Sequence, residues 1–349
     1  MGGGLLQLVA YGAQDVYLTG NPQITFFKVV YRRHTNFSIE SIQQTFNGNP
    51  GAGKRVTCQI SRNGDLVHKL YVVFGDGDSI KDARNLLKKV EVEIGGQLID
   101  RQYGDWMQIW NELTLPVGKK TGYNKMVGTT GADGKRYVPL EFWFCRNIGL
   151  ALPLIALQYH EVKINIEFDT VTGDPFTDAT LWADYIFLDT DERRRFAQLS
   201  HEYLIEQVQF TGEEALSATN GGSVKLSFNH PVKELIWQGT NGTAAKGCGK
   251  AKLMLNGNDR FAEREQKYFT HVQPYQHHTN IPTGGTINVY SFALKPEEHQ
   301  PSGTLNMSRI DTAQLKLSGG DGATAVKIYA HSYNVLRILS GMGGLAYSN

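Results

Sequence analysis

The stretch EVKINIEF, residues 161–168, alternates charged or amide side chains with apolar ones over eight positions. A period of two is typical of a β-strand that has one face in water. Residues 90–94 and 313–317 show the same alternation. Residues 181–188 and 326–339 are apolar or aromatic on both faces, as expected of strands that lie between two layers. The sequence therefore predicts a fold dominated by strands.

Tight-turn pairs separate these strands. Asn-Gly stands at 63–64 and at 256–257, and Gly-Gly stands at 95–96. Such pairs favour the two-residue turns that join antiparallel strands. Many short strands, few helices and long connections favour antiparallel sandwiches over a fold in which strands and helices alternate.

Two segments are predicted to be helical. A shorter polar helix is expected to begin at Asp259 and to run towards Tyr268. The other helix is capped by Asp105, and its residues at i, i+3, i+4 and i+7 form one apolar face. These residues are Trp106, Ile109, Trp110 and Leu113.

Parts of the first half return in weakened form about 160 residues later. ISRN at 60–63 returns as LSFN at 226–229, and VEIGG at 92–96 returns as LMLNG at 253–257. The trio Gln43, Phe46 and Gly48 returns as the trio Gln207, Phe210 and Gly212. Three motifs that return in the same order and at nearly the same spacing indicate two copies of a β-rich unit. The length of 349 residues agrees with two domains of about 150 residues each. The polar segment 189–200 is the predicted boundary.

The net charge and the cysteine spacing limit the classes of function that the chain can have. With 35 basic and 34 acidic residues the formal charge is +1, so no large field draws the chain to nucleic acid or to an anionic membrane. The basic run 193–195 stands among acidic residues and is predicted to be a solvated, self-neutralised loop. Cys58, Cys145 and Cys248 lack metal or disulfide spacing, which favours buried thiols in a reducing compartment. No apolar run approaches the roughly 20 residues of a membrane-spanning helix.

None of the candidate catalytic or metal-binding motifs is complete. GNPGAGK at 48–54 matches part of a phosphate-binding loop, but Arg55 replaces the required Ser or Thr and a strand follows where a helix is needed. His-Glu at 160–161 and at 201–202 has no second His four residues on. The pair His277-His278 lies in predicted strand, where adjacent side chains point to opposite faces. We therefore expect structural or surface roles for these residues, no enzyme, no cofactor and no metal.

Two further features concern the surface. Asn36, Asn241 and Asn306 each open an N-x-S/T sequon, which matters only if the protein meets the glycosylation machinery. Both termini are apolar and rich in glycine, at residues 2–6 and 341–345. Such segments are expected either to order against a neighbouring molecule or to dock on the core of their own chain, and the sequence leaves both open.

The motifs resemble the major capsid proteins of nucleocytoplasmic large DNA viruses, of the phycodnavirus and iridovirus type. The match covers nearly the whole chain, and runs of this length are highly specific. The resembling stretches are LVAYGAQDVYLTGNPQITFFKVVYRRHTNF at 8–37, ISRNGDL at 60–66, VEIGGQLID at 92–100, FWFCRN at 142–147, GLALPLIALQYHEVKI at 149–164, DYIFLDTDERRRFAQLSHEYLIEQVQFTG at 184–212, FNHPVKEL at 228–235, LNGNDRF at 255–261, VQPYQHH at 272–278, YSFALKPEEHQPSGTLNMSRID at 290–311 and YNVLRILSGMGGLAYSN at 333–349.

The resemblance implies an all-β double jelly roll, in which two eight-stranded antiparallel sandwiches stand in tandem with a few short helices. On this basis we expect an N-terminal arm at 1–24, a first roll at 25–190, a linker at 191–200 and a second roll at 201–349 that ends in the Gly-rich tail. Within the arm, the residues expected to lie on the inner face of the assembly are Leu5, Leu6, Leu8 and Val9.

The resemblance also implies partners and a place. The chain is expected to form a homotrimer of pseudo-hexagonal outline that packs beside other capsomers, with minor capsid and penton proteins and over an inner viral membrane. It implies assembly in the host cytoplasm and residence in the virion capsid, without direct binding of nucleic acid. The chain departs from the family in having short, Gly-rich spacers at 119–137, 238–250 and 318–325, which makes tall surface loops unexpected.

Two other classes of function stay open on the residues alone. A β-sandwich with exposed aromatic and amide loops could bind glycans, either as a minor capsid protein or as a lectin. Saturable glycan binding by a monomer would favour that class. A hydrolase or metalloenzyme would be indicated by stoichiometric metal in the purified protein.

Overall fold

The computed structural model describes residues 3–10, 12–24, 26, 31–75, 82–128, 134–170, 176, 178–242, 244–318 and 322–347. The chain divides into two units, Met1–Asn36 and Phe37–Asn349. The first unit contains the helices α1 (Gly3–Val9) and α2 (Asp15–Thr19). Among the described residues, no helix is long and apolar enough to cross a membrane.

The second unit is built mainly from strands. Its first half contains β1 (Phe37–Gln44), β2 (Phe46–Asn47), β3 (Arg55–Gln59), β4 (Leu66–Phe74), β5 (Leu87–Ile94), β6 (Gln97–Tyr103), β7 (Arg136–Pro139), β8 (Leu152–Pro153), β9 (Val162–Phe168) and β10 (Ala179–Leu188). Its second half contains β11 (His201–Ala215), β12 (Gly222–Leu226), β13 (Pro231–Asn241), β14 (Ala244–Lys246), β15 (Ala251–Leu255), β16 (Asn258–Asp259), β17 (Ile287–Ser291), β18 (Leu305–Asn306), β19 (Ala313–Leu317), β20 (Ala325–Leu339) and β21 (Met342–Leu345).

Helices occupy the connections between strands. They are α3 (Gly104–Thr114), α4 (Val117–Val127), α5 (Trp143–Arg146), α6 (Thr190–Gln198) and α7 (Gln273–His277). Short 3₁₀ turns lie at Ala83–Leu86, Ile148–Leu150 and Met307–Arg309, and a π-helical turn at Tyr268–Val272 runs directly into α7.

The first half folds into a sandwich of two antiparallel sheets, here called the first roll. Sheet A has the order β1-β10-β4-β7, with β8 beside β4, and sheet B has the order β2-β3-β9-β5-β6. Val72 and Leu181 of sheet A share one buried cluster with Val92 and Ile164 of sheet B. The alternation of residues 161–168 therefore places Ile164 in the core, as the pattern predicts.

The second half, here called the second roll, repeats this arrangement. Sheet C has the order β11-β20-β13-β14, extended by β17 and β18 beside β13 and by β21 beside β20, and sheet D has the order β12-β19-β15-β16. Leu235 and Ile328 of sheet C pack with Leu253 and Leu315 of sheet D. The number of eight strands per roll stays a prediction, since short strands such as β8, β14 and β18 are added to the main ones.

Strand order confirms the predicted duplication. β1-β10-β4 in sheet A corresponds to β11-β20-β13 in sheet C, and β3-β9-β5-β6 corresponds to β12-β19-β15-β16. The paired turns at 95–96 and 256–257 close the equivalent hairpins β5–β6 and β15–β16. Gly95 and Asn256 both have positive φ there, as this type of two-residue turn requires. Gln43 and Gln207 lie in equivalent strands, but the first is exposed and the second is buried.

Three local predictions need correction. The helix with the Trp-rich face exists as α3, but Asp105 does not cap it, since its carboxylate bonds to Lys327 at 2.6 Å. The polar helix expected from Asp259 is wrong, because Asp259 ends β16 and helical structure begins only near Tyr268. The segment expected as a loop at 193–195 is part of α6, whose N-cap Asp189 accepts a hydrogen bond from the Thr190 amide.

Candidate assembly surfaces and the junction between the rolls

A helix of the first roll packs on the outward face of the second roll. α3 turns Met107 towards the core of its own roll and a second apolar side towards sheet C. The Trp106 ring lies 5.5 Å from that of Tyr329 and stacks on Trp110 at 5.6 Å. The buried residues of this contact are Trp106, Ile109, Trp110 and Leu113 of α3 and Val208, Ile236, Ile287, Val289 and Tyr329 of sheet C.

Sheet C is apolar on both faces because of this contact. Leu235 and Trp237 of β13 point into the core of the second roll, while Ile236 between them belongs to the contact with α3. The apolar and aromatic residues on both faces of 326–339 have the same cause, since Ile328 faces inward and Tyr329 faces α3. The rolls are therefore joined by a buried apolar junction.

A buried ionic network, here called the junction network, continues this contact. Glu206 of β11 accepts a 2.6 Å hydrogen bond from Lys233 Nζ and forms a 2.8 Å ion pair with Arg146 Nη2. Arg146 ends α5 of the first roll, and its guanidinium lies 4.8 Å above the Trp110 ring. Since Glu206 and Lys233 belong to the second roll, the pair between Arg146 and Glu206 links the two rolls.

Glu234 is the second acid of the junction network. His331 Nδ1 lies 3.1 Å from one carboxylate oxygen of Glu234, and His278 Nε2 lies 2.9 Å from the other. The remaining ring nitrogen of His278 lies 2.9 Å from Glu297 Oε1. The His278 ring thus bridges two carboxylates, an arrangement that favours the doubly protonated imidazolium.

The charges of the junction network hold one another ionised. Burial favours neutral Glu206, but the charge of Arg146 and the rings of His299 and His331, whose nitrogens lie 3.6 Å and 3.5 Å from the carboxylate, outweigh it and keep the pKa well below its usual value. Burial likewise favours a neutral ring at His278, yet the carboxylates of Glu234 and Glu297 raise its pKa to about 9. Burial lowers the pKa of Lys233.

The C-terminal strand also binds the rolls together. Gly343 in β21 packs on Leu157 and Ile94 of the first roll, where an added Cβ would lie 2.7 Å from Leu157 Cδ2. The Gly343 amide lies 3.2 Å from His160 Nδ1, and the Leu345 amide donates to Gln97 Oε1 at 3.1 Å. The Gly-rich segment at 341–345 therefore docks on its own chain, which decides the alternative that the sequence left open for this terminus.

Comparison with known proteins identifies the family. A family model described as the major capsid protein N-terminus matches residues 25–189, and one described as the large eukaryotic DNA virus major capsid protein matches residues 192–250 and 243–344. The chain belongs to the major capsid proteins of large eukaryotic DNA viruses. Its role is that of a structural subunit of the capsid.

Individual relatives agree with this assignment. The chain is 57% identical to the major capsid protein of Pyramimonas orientalis virus over 402 residues, and 46% identical to that of Paramecium bursaria Chlorella virus 1 over 438 residues, with all of each chain covered. Both alignments exceed the 349 residues of this capsid chain, so these relatives contain insertions.

Solved structures confirm the double jelly roll. A chain of the PBCV-1 virus capsid superposes with a TM-score of 0.84 at 40% identity, covering 93% of this capsid chain and 100% of the other. The Faustovirus major capsid protein shares the fold, with a TM-score of 0.75 at 13% identity and 94% of both chains covered.

The predicted arm of this capsid chain presents its apolar side chains to the surface. All four predicted arm residues lie in α1, and none of them is buried. Leu8 is the most open of them, with 79% of its surface exposed. The set comprises Leu5, Leu6, Leu8 and Val9.

The three sequon asparagines are exposed in this capsid chain. Asn306 Oδ1 accepts a hydrogen bond from the Ser308 amide, and Asn241 ends β13. Thr243 of the second sequon lies outside the described residues. Asn36 ends the first unit.

His201 and His277 of the candidate motifs contact backbone carbonyl groups of their own chain. His201 Nε2 lies 2.8 Å from the Phe196 carbonyl oxygen, and His277 Nδ1 lies 2.9 Å from that of Leu294. His277 ends α7 rather than lying in a strand, so the predicted strand there is wrong. Across the described ranges, no group of three His, Cys, Asp or Glu side chains is placed to hold a metal ion.

Cys58, Cys145 and Cys248 are buried, as predicted. Burial raises the pKa of Cys58 to about 11 and also raises the pKa of Cys145. Both thiols are therefore protonated and poorly nucleophilic near neutral pH.

Proposed function

We propose that three copies of this chain form a capsomer of pseudo-hexagonal outline that tiles the icosahedral shell of a large double-stranded DNA virus. The observation that carries the proposal is the repeated strand order, β1-β10-β4 in one roll and β11-β20-β13 in the other. Three chains with two similar rolls each present six similar units around a threefold axis. Such a particle fits a hexagonal lattice although its true symmetry is threefold.

We propose that the N-terminal arm makes contacts outside its own chain. Its support is the exposure of Leu5, Leu8 and Tyr17, which are large apolar side chains in the first unit. An exposed apolar segment of this kind marks an interaction surface. The expected partners are neighbouring capsomers, minor capsid and penton proteins, and the inner viral membrane beneath them.

We propose the division into an arm at 1–24, a first roll at 25–190, a linker at 191–200 and a second roll at 201–349. The sheets support it, because sheets A and B end with β10 at Leu188 and sheet C begins with β11 at His201. The exposed helix α6 lies between them.

We propose that the chain acts only as a building block, without enzymatic activity and without direct contact to nucleic acid. The formal charge of +1 supports the second point, because nucleic-acid surfaces are usually strongly basic. Assembly in the host cytoplasm is supported by three buried cysteines whose spacing in the sequence is not that of a disulfide framework. We further propose that the exposed Asn36, Asn241 and Asn306 carry glycans only where the virion meets glycosylation enzymes.

Mass photometry and negative-stain imaging of the purified full chain test the capsomer. We expect particles with three times the 38.9 kDa of one chain and with a hexagonal outline. A clean monomer at micromolar concentration, obtained with any required folding partner co-expressed, would rule out the capsomer.

A further inference from the structure

The junction between the rolls uses one member of each of two duplicated surfaces. It joins α3, the helix that follows edge strand β6 of sheet B, to the outward face of sheet C. Because the chain repeats its topology, it also contains the reciprocal pair of surfaces. This pair comprises the outward face of sheet A and the helical segment 268–277, which follows edge strand β16 of sheet D.

The outward face of sheet A, here called the first-roll groove, is apolar and open. Trp182 of β10 and Tyr71 of β4 are register partners, as Tyr329 and Ile236 are in sheet C. Tyr329 and Ile236 are buried under α3, whereas Trp182 and Tyr71 are only partly buried. The groove has a volume of about 460 Å³ and is lined by Ser41, Tyr71, Val73, Met126, Lys135, Tyr137 and Trp182.

The helical segment 268–277, here called the second-roll helix, has two apolar sides, as α3 has. Phe269 is fully buried in its own roll, 5.1 Å from the Trp237 ring, and corresponds to the role of Met107 in α3. The other side carries Val272, 39% exposed, and Tyr275, 76% exposed. Leu294 next to it, held through its carbonyl by His277, is 72% exposed.

We propose that the second-roll helix of one copy packs into the first-roll groove of the next copy. This inference rests on the proposed trimer and names its seam. The contact repeats between chains what α3 and sheet C form within a chain. It is heterologous, because a helix on one copy meets a sheet on another, and such contacts close into a ring when the rotation allows it. Three copies then contain three internal junctions and three seams of the same kind.

Aromatic content favours this pairing. The internal junction is built around Trp106, Trp110 and Tyr329, and the groove offers Trp182, Tyr71 and Tyr137. Aromatic side chains that lose their water at the centre of an interface contribute most of its affinity. Tyr275 is therefore placed to serve as the anchor on the facing helix.

Photo-cross-linking at position 275 tests the seam directly. A benzophenone amino acid replaces Tyr275 in the full chain, and unlabelled and ¹⁵N-labelled chains are assembled together so that links between copies are recognised by mass. We expect links between copies to peptides that contain Tyr71, Tyr137 or Trp182. Links to the arm around Leu8, to a second position 275 or to sheet C would overturn the proposal.

A variant pair gives an independent readout. Tyr275→Asp and Tyr137→Asp each place a charge on one side of the seam, and we expect the dissociation constant of the trimer to rise roughly tenfold or more. Tyr347→Asp is the matched control, because Tyr347 lies outside both surfaces and its exposed fraction of 64% falls between those of Tyr275 and Tyr137. An unchanged melting temperature of the dissociated chain shows that the variants fold.

Different results would rule out the capsomer and the seam. If the unmodified chain sediments as a monomer, the proposed capsomer fails and the seam fails with it. If the chain forms trimers that Tyr275→Asp and Tyr137→Asp do not weaken, only the seam is wrong and the capsomer stands.

Discussion

Arg146 of the first roll lies 2.8 Å from Glu206 of the second roll, and the pair is largely withdrawn from water. Removing one partner of a buried pair leaves a charge without compensation, which costs about 3 kcal/mol or more in comparable proteins. Lys233 keeps a 2.6 Å contact with the same carboxylate and limits the loss. The junction network therefore couples the rolls through one arginine.

Arg146→Ala is expected to lower the free energy of unfolding by about 2–3 kcal/mol, because Glu206 then keeps only part of its compensation and Trp110 loses the cation above its ring. Urea unfolding followed by tryptophan fluorescence measures the change. Arg337→Ala is the control, since it breaks an exposed Arg–Glu pair on the same sheet that is worth at most about 1 kcal/mol. Equal losses in the two variants would contradict the role assigned to the junction network.

Alkaline pH is expected to weaken the fold through His278. Its pKa is raised from 6.5 to about 9 by Glu234 and Glu297, against the effect of burial. The stabilisation is fully present below pH 6.5 and is lost as pH rises through 9, and it amounts to about 3 kcal/mol. Thermal melts between pH 6 and pH 10 measure this loss. His278→Gln should flatten this limb of the profile, and a wild-type profile as flat as that of the variant would exclude the mechanism.

Ionisation of Asp100 is expected to lower the stability of the fold, whereas ionisation of an acid in an ion pair raises it. Burial raises its pKa to about 7, although Gln102 and the Val208 amide donate hydrogen bonds to it. Because its folded pKa lies above the unfolded value of 3.8, stability declines as pH rises from about 4 to 7.

Asp100→Asn should therefore raise the melting temperature at pH 8 and change it little at pH 4. The introduced amide keeps Oδ1 as an acceptor for the Val208 amide, and its Nδ2 replaces the oxygen that accepts from Gln102 Nε2. A turn of the Gln102 amide by 180° then brings Oε1, a buried oxygen without a hydrogen-bond partner among the described residues, to this new donor. A variant that is less stable than the wild type at pH 8 would show that the carboxylate is needed in its ionised form.

The sequence predicts those features that depend on local periodicity. Residues 161–168 form β9 with Ile164 in the core, and the apolar face of α3 is buried as its spacing requires. What α3 packs on could not be predicted, because Tyr329 lies more than two hundred residues away. The only local signal is that Tyr329 stands in a run that is apolar on both faces.

The junction network escaped prediction for a related reason. Glu206, Glu234 and His331 are far apart in the chain, and each stands in a strand whose neighbouring residues in the sequence do not reveal its partner. A Glu or His at a strand position that is predicted to be buried indicates such a network, because buried charges are paired. Asp105 fails as a predicted cap because the long-range Lys327 competes for its carboxylate.

Gly343→Ala is expected to loosen the C-terminal strand. The added methyl group would lie 2.7 Å from Leu157 Cδ2 and 3.3 Å from Ile94 Cγ2, and such overpacking costs about 1–3 kcal/mol. Limited proteolysis should then release residues after 340 faster than in the wild type. Gly118→Ala is the control, because no atom lies near its added Cβ and the change in a helix is neutral or stabilising. Unaltered proteolysis of the Gly343 variant would mean that β21 tolerates the larger side chain.

Deletion of residues 1–24 is expected to separate folding from assembly. Leu5, Leu8 and Val9 are exposed and the second unit contains the buried clusters, so the melting temperature should stay within about 2 °C of the wild type, a change that corresponds to roughly 1 kcal/mol in a chain of this size. Trimers should persist, since neither the first-roll groove nor the second-roll helix is removed. Growth of trimers into larger sheets, followed by light scattering and electron microscopy, should decline.

Replacing Leu5, Leu6 and Leu8 by Ser in the full-length chain is the matched variant, because it keeps the length of the arm and removes only its apolar surface. Assembly that proceeds equally well in both variants would show that the arm makes no contact that the lattice requires.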